Sequence, residues 1–221
     1  MTHIFDPSRW VREVHVVGCG GIGSWLAFFL MKNDLPKIHF YDDDVVEEHN
    51  IHTQLFRRSD VGTSKVEALA AFAEREELDT IVVPHVMRVE ETSQLELSGV
   101  VISGVDSMDS RKAIWELVKF NTFVDLYMDG RIGGDVLHLY TLNPSSPSQI
   151  SLYEDWMYPS NEAAEAPCTV RSDFHTALTL DGLILKNLTS FARGRRPAEI
   201  LHGDLSIVAP PGGATPVVQI P

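Results

Sequence analysis

Four glycines lie close together at Gly18, Gly20, Gly21 and Gly23, in the run GCGGIG. An apolar stretch typical of a strand precedes this run, and an apolar stretch typical of a helix follows it. Because glycine has no Cβ atom, such a backbone can approach phosphate groups closely, and the helix N-terminus supplies N–H groups and a positive dipole end. The residues therefore predict a nucleotide-binding loop.

Asp42 supports the same interpretation, because it follows the glycine run by roughly 20 residues at the end of a predicted second strand. A carboxylate in that place can accept hydrogen bonds from ribose hydroxyls. These two features do not identify the nucleotide. A nicotinamide-dependent oxidoreductase would carry the same pair, and glycines at this place also serve the packing of helix on strand.

Three further runs carry polar residues in a defined order. The run YDDDVVEEHNIHTQLFRRSDVGTSK contains Asp42, Asp44, Val45, Asn50, Gln54, Asp60, Val61, Gly62 and Lys65, the run GVDSMDSR contains Asp106, Asp109 and Arg111, and the run APCTVRSDF contains Cys168. They resemble the motifs of the ThiF/MoeB and ubiquitin-activating family of adenylyltransferases. That family carries D-x-D-x-V followed by Asn, Arg-Gln and D-V-G-x-x-K, then D-N-x-D-x-R, and in one branch C-T-I-R or C-T-L-K around a thioester cysteine.

The resemblance implies a Rossmann-like α/β fold whose mixed, mostly parallel sheet has helices on both faces. It implies ATP and Mg²⁺ as ligands, a homodimer, and the C-terminal glycine of a ubiquitin-like or sulfur-carrier protein as the activated carboxylate. By resemblance, Asp42 takes the ribose, Asp106 holds the metal and Cys168 receives the acyl group as a thioester. The glycine loop, Asp44, Asn50, Gln54 and Lys65 complete the nucleotide site.

The residue types suit this chemistry. When an acyl-adenylate forms, a carboxylate attacks the α-phosphorus of ATP and pyrophosphate leaves, so catalysis consists of positioning and of neutralising phosphate charge. Lys65 would supply positive charge, and Asn50 and Gln54 would donate amide hydrogens to phosphate oxygens. Asp106 would hold Mg²⁺, which prefers carboxylate oxygen. No residue need act as a base, because the attacking carboxylate is already ionised.

Each assignment has a structural alternative. Lys65 opens a predicted helix and would otherwise be a solvated surface residue. Asp106 would instead cap the helix that follows it. We interpret Asp44 as a turn residue and Asp109 with Arg111 as a structural ion pair.

The remaining histidines and cysteines of these runs are weighed in the same way. His49 and His52 are interpreted as loop residues, because no third metal ligand accompanies them. Cys19 is interpreted as structural, since a small apolar residue fits inside the glycine loop. Cys168 is either an inert thiol or, with Arg171 favouring the thiolate, the nucleophile that attacks the adenylate.

The sequence departs from the family pattern at Thr53, where the pattern has an arginine before Gln54. Arg57 or Arg58 would have to replace that arginine. The N-terminal segment that brings a second arginine from a partner subunit is short, which leaves Arg9 or Arg12 for this role. The C-x-x-C zinc pairs of many bacterial members are absent too, so we expect the last helix to dock by apolar packing alone.

Three functions remain open at this point. The first is an adenylating enzyme that activates a carboxylate. The second is a catalytically degenerate ThiF-like nucleotide-binding or scaffold protein, which has lost the chemistry together with the arginine. The third is an NAD-dependent oxidoreductase, for which the sequence offers the glycine loop and no coherent group of hydride-transfer residues.

The bulk composition limits the classes of partner. The chain has 221 residues and a formal net charge of −13, which argues against a surface built for nucleic acid or anionic membranes. Its longest purely apolar run, Trp25 to Met31, is far shorter than the roughly 20 residues of a membrane span. Cys19 and Cys168 form no C-x-x-C pair. We expect a cytoplasmic protein that binds neither nucleic acid nor membrane.

Hydrophobic patterning predicts alternating strands and helices. The predicted strands are Glu13–Val17, Lys37–Tyr41, Thr80–Val86, Val100–Ser103, Thr122–Met128, Gly133–Leu142 and Leu205–Ala209; the predicted helices are Gly21–Asn33, Val61–Glu77, Glu90–Leu97, Ser107–Asn121 and Phe174–Ala192. The sixth strand follows the fifth too closely for a helical crossover, so we predict that the two pair antiparallel. Residues 1–210 are expected to form a single adenylation domain with a long surface loop at 143–172, and 211–221 a flexible tail.

Overall fold

The computed structural model describes residues 10–157 and 174–205. Seven strands form one sheet: β1 Val14–Val17, β2 Lys37–Asp42, β3 Ile81–Val86, β4 Gly99–Ser103, β5 Val124–Gly133, β6 Val136–Leu142 and β7 Ile200–Asp204. Five α-helices accompany it: α1 Gly23–Lys32, α2 Lys65–Arg75, α3 Met108–Val118, α4 Pro147–Glu154 and α5 Phe174–Ala192. Short 3₁₀ helices at Glu48–His52 and Arg58–Asp60 lie between β2 and α2.

The strand order is β3-β2-β1-β4-β5-β6-β7. Strands β1 to β5 are parallel, and β6 pairs antiparallel with both β5 and β7. The predicted mixed, mostly parallel sheet is therefore confirmed. From β1 the chain continues through β2 to β3 on one side and then crosses to β4 on the other side of β1. In open α/β sheets the crevice at such a switch point, here between β1 and β4, binds ligands.

Alternating strand residues point to opposite faces of the sheet and enter two separate cores. One face packs Val14, Val16, Ile38 and Phe40 with Leu26 and Leu30 of α1, Leu69 and Phe72 of α2, and Leu180 and Ile184 of α5. The other packs Val17, Tyr41 and Val101 with Ile114 and Trp115 of α3 and with Ile150 and Tyr153 of α4. The sheet thus has helices on both faces, as predicted.

Helix α2 begins later than the sequence predicts, at Lys65 rather than Val61. The residues before it pair instead with the loop that follows β2: the Gly62 N–H donates to the Val46 carbonyl, and the Val46 N–H donates to the Thr63 carbonyl. Ser64 then caps the helix by accepting a hydrogen bond from the Glu67 N–H. Tertiary pairing with the loop after β2 therefore decides where the helix starts.

One predicted helix is wrong within the described residues. The segment Glu90–Leu97 forms a turn and not a helix, because Ser93 donates its N–H to the Glu90 carbonyl and accepts the Glu90 N–H with its hydroxyl, which closes the chain locally. Strand β7, Ile200–Asp204, was not predicted, and the predicted strand Leu205–Ala209 lies outside the described residues except for Leu205.

The predicted surface loop at 143–172 contains a helix, α4, with Pro147 at its first turn. Its residues 158–172 lie outside the described part of the chain. Helix α5 has the predicted bounds. In the described ranges no helix combines the length and the apolar character that crossing a bilayer requires.

Candidate nucleotide-binding cleft

A cleft of about 440 Å³ opens at the carboxyl edge of the parallel strands. Its walls come from the ends of β1 and β2, the loop after β2, the start of α2, and the segments after β3 and β4. Eight of the nine residues predicted to bind the nucleotide line it: Gly18, Gly20, Gly21, Asp42, Asp44, Asn50, Gln54 and Lys65. Asp106, the predicted metal ligand, lines it as well.

The glycine loop combines two kinds of glycine. Gly18 has a φ of +89°, and a Cβ on Gly23 would lie 1.8 Å from the Gly18 carbonyl oxygen, so these two positions are closed to larger residues by the backbone itself. A Cβ on Gly20 or Gly21 would meet nothing within 4 Å. Gly23, which does not line the cleft, therefore serves the packing of α1, whereas Gly20 and Gly21 border open space.

Asp42 ties the glycine loop to the end of β2. Its Oδ2 accepts a hydrogen bond of 2.6 Å from the Cys19 N–H, and its Oδ1 accepts one of 2.9 Å from the Asp44 N–H. Burial raises the pKa of the Asp42 carboxyl, although the bond from Cys19 opposes this shift. Each carboxylate oxygen has two lone pairs, so Asp42 can still accept hydrogen bonds from a ligand in the cleft.

Lys65 is buried, so the alternative of a solvated surface lysine is wrong. Its Nζ lies 2.6 Å from Asp44 Oδ2 and 4.0 Å from Asp42 Oδ1. Asp44 therefore holds the ammonium group at the cleft, and its predicted place in the nucleotide site stays a prediction. The Asp44 side chain is itself 66% exposed, so a ligand can compete for the lysine without leaving a buried carboxylate unpaired.

Asn50 and Gln54 enter the cleft from the 3₁₀ helix and its end. Asn50 is buried, and its Oδ1 accepts a hydrogen bond of 2.8 Å from the Glu47 N–H, which leaves its amide N–H groups for the cleft. Gln54 Oε1 is buried with no hydrogen-bond partner in the described chain. A buried amide oxygen without a partner is costly, and a ligand in the cleft would satisfy the Gln54 side chain.

Asp106 is exposed and stands directly before the N-terminus of α3. Ser107, and not Asp106, caps α3, because the Ser107 hydroxyl accepts the hydrogen bond from the Ser110 N–H. Within the described residues the Asp106 carboxylate has no hydrogen bond or ion pair. Asp106 therefore faces the cleft with both oxygens available.

The expected pairing of Arg111 with Asp109 is corrected by the structure. Arg111 is buried, and its Nε donates to Asp129 Oδ1 at 2.7 Å. Its guanidinium also donates to the carbonyl oxygens of Val105 and Gly130. Arg111 is thus structural, as expected, but its ionic partner is on β5, and only the tertiary fold brings the two together.

None of the arginines proposed to replace the missing one lines the cleft in the described part of the chain. Arg57 pairs with Glu76 at 3.2 Å, and Arg12 pairs with Asp125 at 2.8 Å. Arg58 does not line the cleft, and Arg9 is outside the described residues. Thr53, at the place of the family arginine, accepts a hydrogen bond from Trp25 through its carbonyl.

Arg88 is the cleft cation that the sequence analysis missed. It lies just beyond the end of β3, is exposed, and donates a hydrogen bond of 3.3 Å to the Ser110 hydroxyl. Its position could have been inferred from the rule that residues after parallel strands meet at one edge. Among the described residues, Lys65 and Arg88 face five carboxylates in the cleft lining: Asp42, Asp43, Asp44, Glu47 and Asp106.

The donor set fits ATP with a hard cation. The open glycines and the Asn50 amide N–H groups suit a ligand that carries phosphates, and the unpartnered Gln54 oxygen suits a hydrogen-bond donor of the same ligand. Carboxylate oxygens such as those of Asp106 are the ligands that Mg²⁺ prefers. A triphosphate also needs more positive charge than Lys65 and Arg88 provide, which a divalent cation would add.

The remaining predicted residues have simpler places. Cys19 is buried beneath the loop, and burial raises the pKa of its thiol well above the ordinary value, which agrees with a structural role. His49 lies in the cleft lining and pairs with Glu47 at 3.2 Å, whereas His52 is exposed. Cys168 and Arg171 lie outside the described residues, so the structure does not test the thioester prediction.

Comparison with curated proteins finds relatives that match less than half of the chain. The NEDD8-activating enzyme E1 catalytic subunit of Caenorhabditis elegans is 34% identical over 105 residues, which is 46% of this chain and 24% of that protein. The adenylyltransferase and sulfurtransferase UBA4 of Yarrowia lipolytica is 35% identical over 78 residues, or 35% of this chain and 20% of that protein. The chain thus spans about a quarter of the length of these relatives.

Comparison with solved structures confirms the adenylation fold. Escherichia coli MccB with ATP superposes with a TM-score of 0.67 at 17% identity and covers 97% of this chain and 67% of its own. PaaA superposes with a TM-score of 0.68 at 15% identity and covers 90% and 72%. At these identities the likeness establishes the fold alone.

The family model described as ThiF family matches residues 11–172, which include the glycine loop, the first two motif runs and Cys168 of the third. The match begins before β1 and extends through the segment that contains Cys168. It covers most of the sequence, and together with the sheet order and the cleft at its carboxyl edge it shows that this chain belongs to the ThiF family.

Proposed function

We propose that the cleft binds ATP and activates a carboxylate as its acyl-adenylate. The observation that carries the proposal is the placement of three complementary features around one cleft. Gly20 and Gly21 border open space, Lys65 is held over that space by Asp44, and Asp106 faces it without a partner in the described ranges. Adenylation needs phosphate binding, positive charge and a metal ligand, and these groups supply them.

Each polar residue of the cleft would have the role that its side-chain chemistry suits. Asp42, which is anchored by the Cys19 N–H, would accept hydrogen bonds from the ribose. Asn50 and Gln54 would hold phosphate oxygens through their amides, and Lys65 would neutralise charge as it develops on them. Asp106 would hold Mg²⁺, which when bound stabilises the negative charge of the departing pyrophosphate.

The substrate that we propose is the C-terminal glycine of a ubiquitin-like or sulfur-carrier protein. The names of the relatives support this class, since one is a NEDD8-activating enzyme and another an adenylyltransferase and sulfurtransferase. We also propose a homodimer. A second copy would supply cations to a cleft in which, among the described residues, carboxylates outnumber Lys65 and Arg88.

The test is ATP–pyrophosphate exchange with the full chain, Mg²⁺ and candidate carrier proteins that end in glycine. We expect exchange that depends on both the carrier and Mg²⁺, and we expect Asp106→Ala to abolish it. Asp79→Ala, an exposed residue outside the cleft, is the matched control and should leave exchange unchanged. Exchange that survives in Asp106→Ala would contradict the metal role.

The same assay separates the alternatives. Cys168→Ala should leave exchange intact and remove only a thiol-sensitive covalent adduct with the carrier, as a thioester role requires. A wild-type chain that binds ATP without any exchange would be a nucleotide-binding scaffold, and the proposal of adenylation would be wrong. Fluorescence titration in which NADH binds in preference to ATP would favour an oxidoreductase.

A further inference from the structure

A group of polar side chains lies near the amino ends of β1 and β2, away from the cleft at their carboxyl ends. Glu13 directly precedes β1, His15 is the second residue of that strand, and His39 is its register partner on β2. Register partners on adjacent parallel strands point to the same face, and the two imidazole rings stack with centroids 4.5 Å apart. The sheet therefore presents two imidazoles and one carboxylate side by side.

The ligand atoms of these three residues converge. Glu13 Oε2 lies 3.8 Å from His15 Nε2 and 3.5 Å from His39 Nε2, and the three groups lie within 4.8 Å of one another. Both histidines hydrogen-bond through Nδ1, His15 with the Tyr41 hydroxyl at 3.0 Å and His39 with His85 Nε2 at 3.0 Å. Such outer contacts orient a metal-binding imidazole and turn its other nitrogen towards the metal.

The converging nitrogens are poorly satisfied by the protein. His39 Nε2 is buried without a hydrogen-bond partner in the described chain, and His15 Nε2 accepts a long bond of 3.4 Å from the Ser98 N–H. His15 is only 1% exposed. A buried imidazole nitrogen without a hydrogen-bond partner is costly, and a cation placed between it and the Glu13 carboxylate would satisfy both groups.

We propose that Glu13, His15 and His39 form a binding site for a divalent transition metal of the Zn²⁺ class. Two imidazoles and one carboxylate suit Zn²⁺, and a tetrahedral site with bonds of about 2 Å places its ligand atoms about 3.4 Å apart. The two distances from Glu13 are close to this value, and the two histidine nitrogens, which lie within 4.8 Å of each other, would move closer together when an ion binds. Water completes the coordination.

The site differs from the cleft in both chemistry and place. Imidazole ligands select transition metals, whereas the oxygen ligands of the cleft suit Mg²⁺. The Glu13 side chain is 36% exposed, so an ion can enter from solvent. A metal here would join β1 to β2 at the end of the sheet that lies away from the glycine loop, and its proposed role is structural.

Lys37 makes the proposal testable in two directions. Its Nζ lies 2.6 Å from Glu13 Oε1 and places a positive charge beside the site. Loss of that charge should strengthen the binding of a cation, while loss of a ligand should weaken it. Damage to the fold would weaken binding in every variant, so the opposite signs distinguish ligation from indirect effects.

The experiment is calorimetric titration of the metal-stripped full chain with Zn²⁺, without nucleotide, together with visible absorption after addition of Co²⁺. We expect one Zn²⁺ per chain and the intense visible bands of four-coordinate Co²⁺. His39→Gln and Glu13→Gln should each weaken Zn²⁺ binding by roughly tenfold or more, and Lys37→Gln should tighten it by about threefold or more. His52→Gln, which changes the exposed last residue of the 3₁₀ helix Glu48–His52, is the matched control and should leave binding unchanged.

Two results would overturn the proposal. The first is a wild-type chain that binds no Zn²⁺, which would make the group a closed polar cluster. The second is unchanged affinity in His39→Gln, which would place any bound zinc elsewhere. One such place is at His138 and His202, whose rings lie next to each other on β6 and β7. If His39→Gln does not fold, the Lys37→Gln titration still decides, because unchanged or weaker binding in that variant would count against the site.

Discussion

Two charged regions near the carboxyl edge of the sheet differ in how their groups are paired. In the cleft, Asp106 is exposed and has no partner among the described residues, while Lys65 is held by the mostly exposed Asp44. In the neighbouring region, which we call the Asp129 cluster, Asp129 is fully buried and bound by Arg111, Arg131 and Tyr153. These three donors lie 2.7, 2.7 and 3.0 Å from its oxygens.

The difference teaches which charges serve binding and which serve the fold. A fully buried carboxylate that is bound by two guanidinium groups and a phenol is not accessible to a ligand, whereas an exposed, unpaired carboxylate at the same edge is. Asp106 and Arg111 come from one short motif, yet they fall on opposite sides of this division. The Asp129 cluster should therefore control stability, and the cleft should control nucleotide chemistry.

The largest effect is expected at Asp129. Asp129→Ala leaves Arg111 and Arg131 buried without their counter-ion, which should cost about 3–5 kcal/mol of unfolding free energy. Urea denaturation followed by circular dichroism measures this loss. Asp125→Ala, on the same strand, removes an exposed pair with Arg12 and should cost less than about 1 kcal/mol. Equal denaturation midpoints for the two variants would contradict the conclusion that the Asp129 cluster controls stability.

A smaller effect, and one of a different kind, is expected at Lys65. Lys65→Met removes a charge that would stabilise phosphate oxygens, so the exchange rate should fall by about 10² to 10³. The urea midpoint should shift little, because the lost partner Asp44 is mostly exposed. Lys32→Met, which removes a lysine paired with Glu76 at 3.9 Å, serves as the control. A large loss of stability in Lys65→Met with normal exchange would assign this lysine to the fold instead.

The smallest effect is expected at Arg88, which would sharpen the boundary of the cleft. Its guanidinium is exposed and hydrogen-bonded to the Ser110 hydroxyl, so Arg88→Met should raise the KM for ATP by about five- to tenfold, the value of one charge-assisted contact. The kcat of exchange and the melting temperature should stay the same. Arg57→Met should change none of these quantities, because Arg57 pairs with Glu76 outside the cleft. An unchanged KM in Arg88→Met would exclude this arginine from the nucleotide site.

Much of the fold could be predicted from the sequence because its signals are local. The strand, glycine loop and helix around Gly18 and Gly23 depend on backbone sterics within a few residues. Helix α5 has the predicted bounds because its apolar period is long and regular. The helix predicted at Glu90–Leu97 was wrong and β7 was missed, since such short segments depend on a single side-chain hydrogen bond or on the neighbouring strand with which they pair.

The candidate site divides in the same way. The order of the motif residues predicted a common cleft, and Asp42, Lys65 and Asp106 do line one. The partner of Arg111 could not be predicted, because Asp129 lies 18 residues away along the chain. Arg88 was missed because no motif surrounds it, although the rule that the ends of parallel strands meet at one edge could have placed it beside the cleft.

The sequence by itself determined the family, the glycine loop and the set of polar residues that border the cleft, because each depends on residue types at short spacing. The tertiary structure alone decided which charges are paired and which are open. Strand order and register set those distances, as the pairing of His15 with His39 shows. Electrostatic roles depend on burial and on the nearest opposite charge, and both are properties of the folded chain.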